Sequence, residues 1–430
     1  MGKRLIKNGY FLTLNQQSPI TKGSMVINDS VIEGIYKDEL DLTFDDVIDA
    51  KGKLVIPGLI NTHGHTGSSL LRGAGDDLPL YTWLSEVMWP AEQTFTKDTI
   101  QAATSLAMSE MLKSGTTTFL DMYHLHMDQT AELILNCGMN GVLCRGMIGL
   151  CSSEEQKEKL DESVNLFKRW HGIGDGRLNV MLSPHAPYTC PPLFLEQIID
   201  KSRQFGIGLH THLAETRKEV QEHIKNYGKS PGEHLDELGF FDGHALIAHG
   251  VHLSRKEIEV LGKKGVYISH NPKSNLKLGS GIMNIKEMLA QKVNVTIGTD
   301  STASNNTLDL FEEMRFSSLI HKGVNEDPTV TTARDVLLMG TRNGAKALGF
   351  ENKGVLESGF DADLTFVDIT QSHVLPNDQE RLVSHLIYAI KGSDVTDVFV
   401  KGKQLVKNRE LLTLDEEKIH FEANEVLKAL

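Results

Sequence analysis

The sequence predicts a (β/α)8 TIM barrel that carries a small β-sandwich domain assembled from both chain ends. Three observations predict it. Eight apolar, β-branched runs alternate with helix-period stretches through the middle of the chain, ionisable residues fall where those runs end, and each end reads as short strands broken by Gly, Asn and Asp. The expected division is 1–55 and 353–430 for the sheet domain and 56–352 for the barrel.

At the start, "KRLIKNGYFLTL", "GSMVINDSVIEGIY" and "DVIDAKGKLVIPG" suit a β meander. The barrel strands then follow in order. The first is "LVIPGLINTH", the second "TTTFLDM" (116–122), the third "GVLCRGMIG" (141–149) and the fourth "LNVMLSPH" (178–185). The fifth is "GIGLHTH" (206–212), the sixth "ALIAHG" (245–250), the seventh "GVYISHN" (265–271) and the eighth "VNVTIGTD" (293–300). Helical stretches such as "TKDTIQAATSLAMSEMLKSG" and "SRKEIEVLGKKG" separate them and end in Gly, as C-terminal caps do. The last segments, "GVLESGFDADLTFVDI" and "VTDVFVKGKQLVKN", return to strand character. Alternation alone also fits an open doubly wound sheet. The placement of the polar residues decides for the barrel.

In a (β/α)8 barrel, functional residues sit at the C-terminal ends of the strands. Here the first strand ends at His63 and His65, the fourth at His185, the fifth at His212 with Glu215 three residues on, the sixth at His249, the seventh at His270 and the eighth at Asp300. A single strand-end histidine is usually a satisfied core residue. Five such ends and a terminal aspartate, drawn around one mouth, are not. Residues i and i+2 of a strand share a face, so His63 and His65 can grip one cation. Three imidazoles and a carboxylate suit Zn2+ first and Fe2+ second, which makes His63, His65, His212 and Asp300 the expected ligands of one divalent metal per chain. His210 shares a face with His212 but lies deeper in its strand. No lysine ends the third or fourth strand, so a carbamylated-lysine bridge to a second metal is not expected.

Of 430 residues, 40% are hydrophobic and 23% charged, an ordinary globular composition. A net charge of −13 argues against a nucleic-acid surface. No run approaches the ~20 apolar residues of a membrane span, and the opening segment reads as a strand rather than a signal peptide. The four cysteines, at 137, 144, 151 and 190, lack ligand or disulfide spacing and read as reduced thiols of a cytoplasmic protein.

Taken together, "PGLINTHGH", "HTHLAET", "AHGVHL", "SHNPKSNLKLG" and "IGTDSTASNN" resemble the amidohydrolase superfamily. With "HTGSSLLRGAGDDLPLYTWLSEVMWPAE" they resemble its 5-methylthioadenosine/S-adenosylhomocysteine deaminase branch, over essentially the whole chain. The resemblance implies hydrolytic loss of the 6-amino group from methylthioadenosine, S-adenosylhomocysteine and adenosine. It implies Glu215 as proton donor to the ring, Asp300 as proton carrier and His249 as the group that orients the attacking water. It further implies Glu92 on the ribose hydroxyls, His185 on the purine or ribose, and Arg145 on the homocysteine carboxylate. Glu215 and Asp300 then also contact substrate.

Trp83, Met88 and Trp89 are expected as apolar wall and His270 as part of the site floor, while His124 and His126 read as surface or packing residues. "CSSEEQKEKLDESV" holds no second arginine for the tail. The partner implied is a small nucleoside, with a homo-oligomer compatible. Two rival readings are hydrolysis on another heteroaromatic ring (s-triazine, guanine or cytosine) and a non-catalytic barrel that serves as an interaction protein.

Overall fold

The computed structural model describes residues 2–14, 19–38, 40 and 42–429. Eight parallel strands pair in chain order: Leu59–Asn61, Thr116–Tyr123, Asn140–Met147, Leu178–Pro184, Leu209–Leu213, Ala245–His249, Tyr267–His270 and Asn294–Ile297. They match the eight expected runs. Four are buried at every residue, Thr116–Tyr123 among them, and the other four have one half-buried residue each, because helices cover the outside and side chains fill the inside. Strands one and eight meet at the seam, where Thr62 N–H donates to the Ile297 carbonyl at 3.0 Å and Asp300 N–H to the His63 carbonyl at 2.9 Å. The ladder there is short, with Gly64 and Asp300 forming a single parallel bridge.

The crossover helices begin and end on local signals. Ser254 caps Arg255–Lys264 in a reciprocal capping box with Glu257, and Gly265 ends that helix at φ 69°. A left-handed residue is needed there, which glycine supplies without strain. Inside the barrel, Ile60, Leu120, Met122, Val142, Cys144, Met181 and Leu246 form one apolar cluster with Ala345, Ala347, Leu348 and Phe350. Asn179 and His244, at the starts of the fourth and sixth strands, donate to the carbonyls of Leu348 and Ala347 at 3.0 and 2.8 Å. Protein therefore plugs the N-terminal end of the barrel and leaves the C-terminal end free to hold a site.

A separate nine-stranded sheet joins the two ends of the chain. Lys53–Pro57 lies between Lys3–Leu12 on one side and Leu364–Asp368 on the other, with Pro57 opposite Leu364. Its core takes Ile6, Phe11, Met25 and Val55 from the first half and Leu364, Phe366 and Phe399 from the second. The C-terminal part also contributes helices. Glu416–Ala429 returns to pack on Lys97–Lys113, where Lys113 pairs with Glu416 at 2.6 Å.

The sheet and barrel meet at a buried ion network. Lys353, 1% exposed, donates to Asp361 at 2.5 Å and Asp363 at 2.9 Å. Asp361 also accepts from Asn352, and Asp363 accepts from Asn140 and from the Lys401 N–H.

Candidate active site

Four imidazoles and two carboxylates converge at the C-terminal mouth. Hydrogen bonds on the far nitrogens fix which ring atoms face inwards. His65 Nδ1–H donates to the Met122 carbonyl at 2.5 Å, and His212 Nδ1–H donates to the His185 carbonyl at 2.7 Å. His63 is set one step removed. His210 Nδ1 must carry its proton to donate to the Leu246 carbonyl at 2.9 Å, so its Nε2 accepts, at 3.0 Å, from His63 Nδ1–H. All three rings thus turn an unprotonated Nε2 towards the centre.

There the lone pairs meet other acceptors. His212 Nε2 lies 3.4 Å from His65 Nε2, and Asp300 Oδ1 lies 3.2 Å from His65 Nε2 and 3.6 Å from His63 Nε2. His63 Nε2 is buried with no hydrogen bond among the described residues. Lone pairs facing lone pairs and a carboxylate repel unless a cation lies between them, and the N3O donor set suits a divalent ion with room for water. The residues fit such a metal: His63, His65 and His212 form one compact group and His63, His249 and Asp300 another.

Three left-handed non-glycine residues shape this rim, Ala214 at φ 50°, His249 at φ 74° and Asp300 at φ 62°. Such conformations carry strain and cluster at functional sites. Leu246 belongs to the cluster inside the barrel, so regular alternation would send His249 outwards; its left-handed φ breaks that alternation. His249 Nδ1 pairs with Asn275 Oδ1 at 2.8 Å, leaving Nε2 3.8 Å from Glu215 Oε2 and 3.9 Å from Asp300 Oδ2. Ser274 Oγ–H donates to Asp300 Oδ2 at 2.6 Å and Ser301 N–H to Oδ1 at 2.7 Å.

The electrostatics separate the two acids. Burial pushes Asp300 up, but the imidazoles of His65, His63 and His249 around it hold it well below the usual carboxylate range. Burial raises Glu215, opposed by His249 and reinforced by Asp300. Burial lowers His63 and His212, which keeps both neutral as ligands must be.

A cavity of about 430 Å3 opens above this floor. Its lining includes Glu92, His185, Glu215, His249 and Asp300, with Trp83, Met88 and Trp89 as apolar wall. Glu92 accepts from Tyr123 Oη–H at 2.8 Å. Two expectations are corrected. His270 is absent from the lining: Ser269 faces the barrel interior, so His270 points outwards and meets His321 Nε2 to Nε2 at 2.9 Å. His124, read as packing or surface, lines the cavity, with burial and Arg145 holding its pKa down to about 4.

Arg145 lies outside this lining, in a neighbouring cavity of about 480 Å3 that shares His124 and Leu125 with it. There its guanidinium pairs with Glu162 at 2.6 Å. Tyr123, Tyr188 and Glu219 were not singled out from the sequence. Only the S/T-x-x-E spacing at Thr216 offers a signal, and it points to Glu219.

A barrel with this floor defines the class of metal-dependent hydrolases. Residues 54–405 match the model of the amidohydrolase family, and the chain belongs to that family. It is 50% identical over 428 residues to 5-methylthioadenosine/S-adenosylhomocysteine deaminase of Halalkalibacterium halodurans, covering 98% of this chain and 97% of that one. It is 43% identical over 431 residues to 5′-deoxyadenosine deaminase of Methanosarcina barkeri, covering 100% and 99%. The crystal structure of an adenosine deaminase from Xanthomonas campestris with bound zinc superposes with a TM-score of 0.94 at 31% identity, covering 100% of this chain and 99% of that one.

Proposed function

We propose that this protein is a hydrolytic deaminase of adenosine-type nucleosides, acting on 5′-methylthioadenosine, S-adenosylhomocysteine and adenosine to give the inosine-type product and ammonia. One observation carries the reading: the acceptor-lined floor of His63, His65, His212 and Asp300 lies in one cavity with Glu215, His249 and Glu92. A divalent cation, Zn2+ before Fe2+, would be held by those four residues, and when bound it makes water nucleophilic near neutral pH.

The chain's own residues supply the proton traffic. Glu215, raised by burial, carries a proton to ring N1 and so makes C6 electrophilic, and it recovers a proton from the C6 hydroxyl as the carbonyl forms and ammonia leaves. Asp300, held ionised, accepts the proton of the attacking water at Oδ2 and passes it to the departing ammonia. His249 Nε2, close to both acids, orients that water. Glu92 accepts from the ribose hydroxyls while Tyr123 holds its other side. His185 lies against the base or sugar, with Nδ1 set by Thr189 at 3.0 Å. Arg145 takes the homocysteine carboxylate by parting from Glu162. We further propose a cytoplasmic enzyme whose partner is a small molecule rather than nucleic acid or membrane. Among the described residues no helix is long and apolar enough to cross a membrane.

Ammonia release from metal-replete protein tests the reading, using the three nucleosides beside guanine, cytosine and an s-triazine. Turnover of the nucleosides is expected. Turnover confined to a free base or triazine overturns the substrate class, and none at all with metal bound overturns catalysis.

A further inference from the structure

Five crossover or flanking helices begin with Ser or Thr followed three residues later by an acid: Ser152/Glu155, Thr216/Glu219, Ser230/Glu233, Ser254/Glu257 and Thr332/Asp335. In four of them the acid returns to the N-cap backbone N–H and completes a capping box. At the helix Arg217–Tyr227 the hydroxyl half is present, with Thr216 Oγ accepting from the Glu219 N–H at 3.1 Å, but the acid half is diverted. Glu219 Oε1 accepts the N–H of Ala214 and Oε2 the N–H of Glu215, both at 2.8 Å. The side chain is buried, so the clamp is shielded from water.

These are the two residues that turn the chain from the fifth strand into the cavity. Ala214 holds the left-handed conformation at φ 50°, which an alanine does not choose unaided. The Ala214 carbonyl is pinned from the opposite side by the His252 N–H at 2.9 Å. The Glu215 side chain has weak guides of its own, Ser280 Oγ at 3.4 Å and His249 at 3.8 Å. Its direction is therefore set by its backbone, and its backbone is set by Glu219. A local rule of helix stability is broken where a site residue needs support.

We propose that Glu219 is a positioning residue, a two-pronged backbone clamp that aims the Glu215 carboxyl at the reacting ring. The inference rests on the proton-donor role proposed for Glu215. Glu219→Gln keeps the shape but offers one acceptor and one amide N–H, so one clamped N–H loses its partner. The expected result is a tenfold or greater fall in kcat per bound metal with KM within about twofold, and faster hydrogen exchange at the amides of Ala214 and Glu215. Thr216→Ala removes the N-cap alone and is expected to lower stability while leaving kcat per metal unchanged. Glu219→Asp, whose shorter arm reaches only one N–H, serves if the Gln protein does not accumulate folded.

Glu215→Gln and the double variant separate the two readings. Glu215→Gln is expected to lose about 10²–10⁴ in kcat, and adding Glu219→Gln to it should cost nothing more. Normal kcat per metal in Glu219→Gln, or an equal loss in Thr216→Ala, overturns the clamp and leaves Glu215 standing. A full further loss in the double variant also overturns it, because Glu219 then acts elsewhere. Near-normal turnover of Glu215→Gln overturns the role of Glu215 and the clamp with it.

Discussion

Two buried polar clusters in this molecule have opposite constitutions. At the junction of sheet and barrel, the Lys353 ammonium lies between Asp361 and Asp363; Asn352 and the Lys401 N–H donate to their other oxygens, and Asn140 shares Asp363 Oδ2 with Lys353. The charges there are paired within the chain. At the barrel mouth, three imidazole lone pairs and a carboxylate face one another and His63 Nε2 is left without a hydrogen bond among the described residues. Both lie in the interior, but the charges of one are paired by the chain itself and those of the other only with a cation. A buried polar group therefore signals function when its partner must come from outside the chain.

The largest test of that contrast is Asp300→Ala. Metal content is expected to fall from about one per chain to a small fraction, and deamination to background, with the chain still folded by circular dichroism. Two metals per chain in active protein would break the single-cation account. Lys353→Met should do the reverse: the two carboxylates are left buried without their cation, at a cost of about 3–5 kcal/mol in denaturant unfolding, while kcat per folded molecule holds.

The Arg145–Glu162 pair stands between these extremes, the Arg145 side chain 15% exposed and that of Glu162 63%. An exposed partner is easily replaced. Arg145→Ala is expected to lower kcat/KM for S-adenosylhomocysteine about ten- to a hundred-fold and to spare methylthioadenosine. Equal loss on both would make Arg145 structural.

The last effect concerns pH and grows with each unit of acidification. Burial lowers His185 and His210 to about 3 and His321 to about 4, so all three are neutral in the folded chain. A depressed imidazole contributes stability that is present above the unfolded value, about 6.5, and is lost as pH falls towards the folded value. Metal-free protein should therefore lose stability progressively from about pH 6.5 towards 4, by roughly 1.4 kcal/mol per pH unit for each such group. A flat unfolding midpoint over that range would show that these rings are not buried neutral.

The barrel was legible because a parallel sheet covered on both sides writes each strand as an apolar run, and the site because strand ends carry its residues. His63, His65, His212 and Asp300 all lie at such ends, and the fold brings them together. His270 could not be told apart from them, since alternation decides inward from outward and the left-handed turn that redirects His249 leaves no mark in the sequence. The Lys353 network was invisible for another reason: Asn140 and Asp363 are brought together only by folding. Glu219 was masked by an ordinary capping signature whose use differs here. The C-terminal helices were missed beside stronger strand patterns.

The pairing of Pro57 with Leu364 has a consequence for synthesis. Lys53–Pro57 leaves the ribosome early, yet one of its two edges is satisfied only by a strand made after the whole barrel. At about 5–20 residues per second, that apolar edge waits for tens of seconds. The small sheet is thus the last part to be completed although it is begun first, and a nascent chain stalled within the barrel would display an open edge ready to pair with a neighbour.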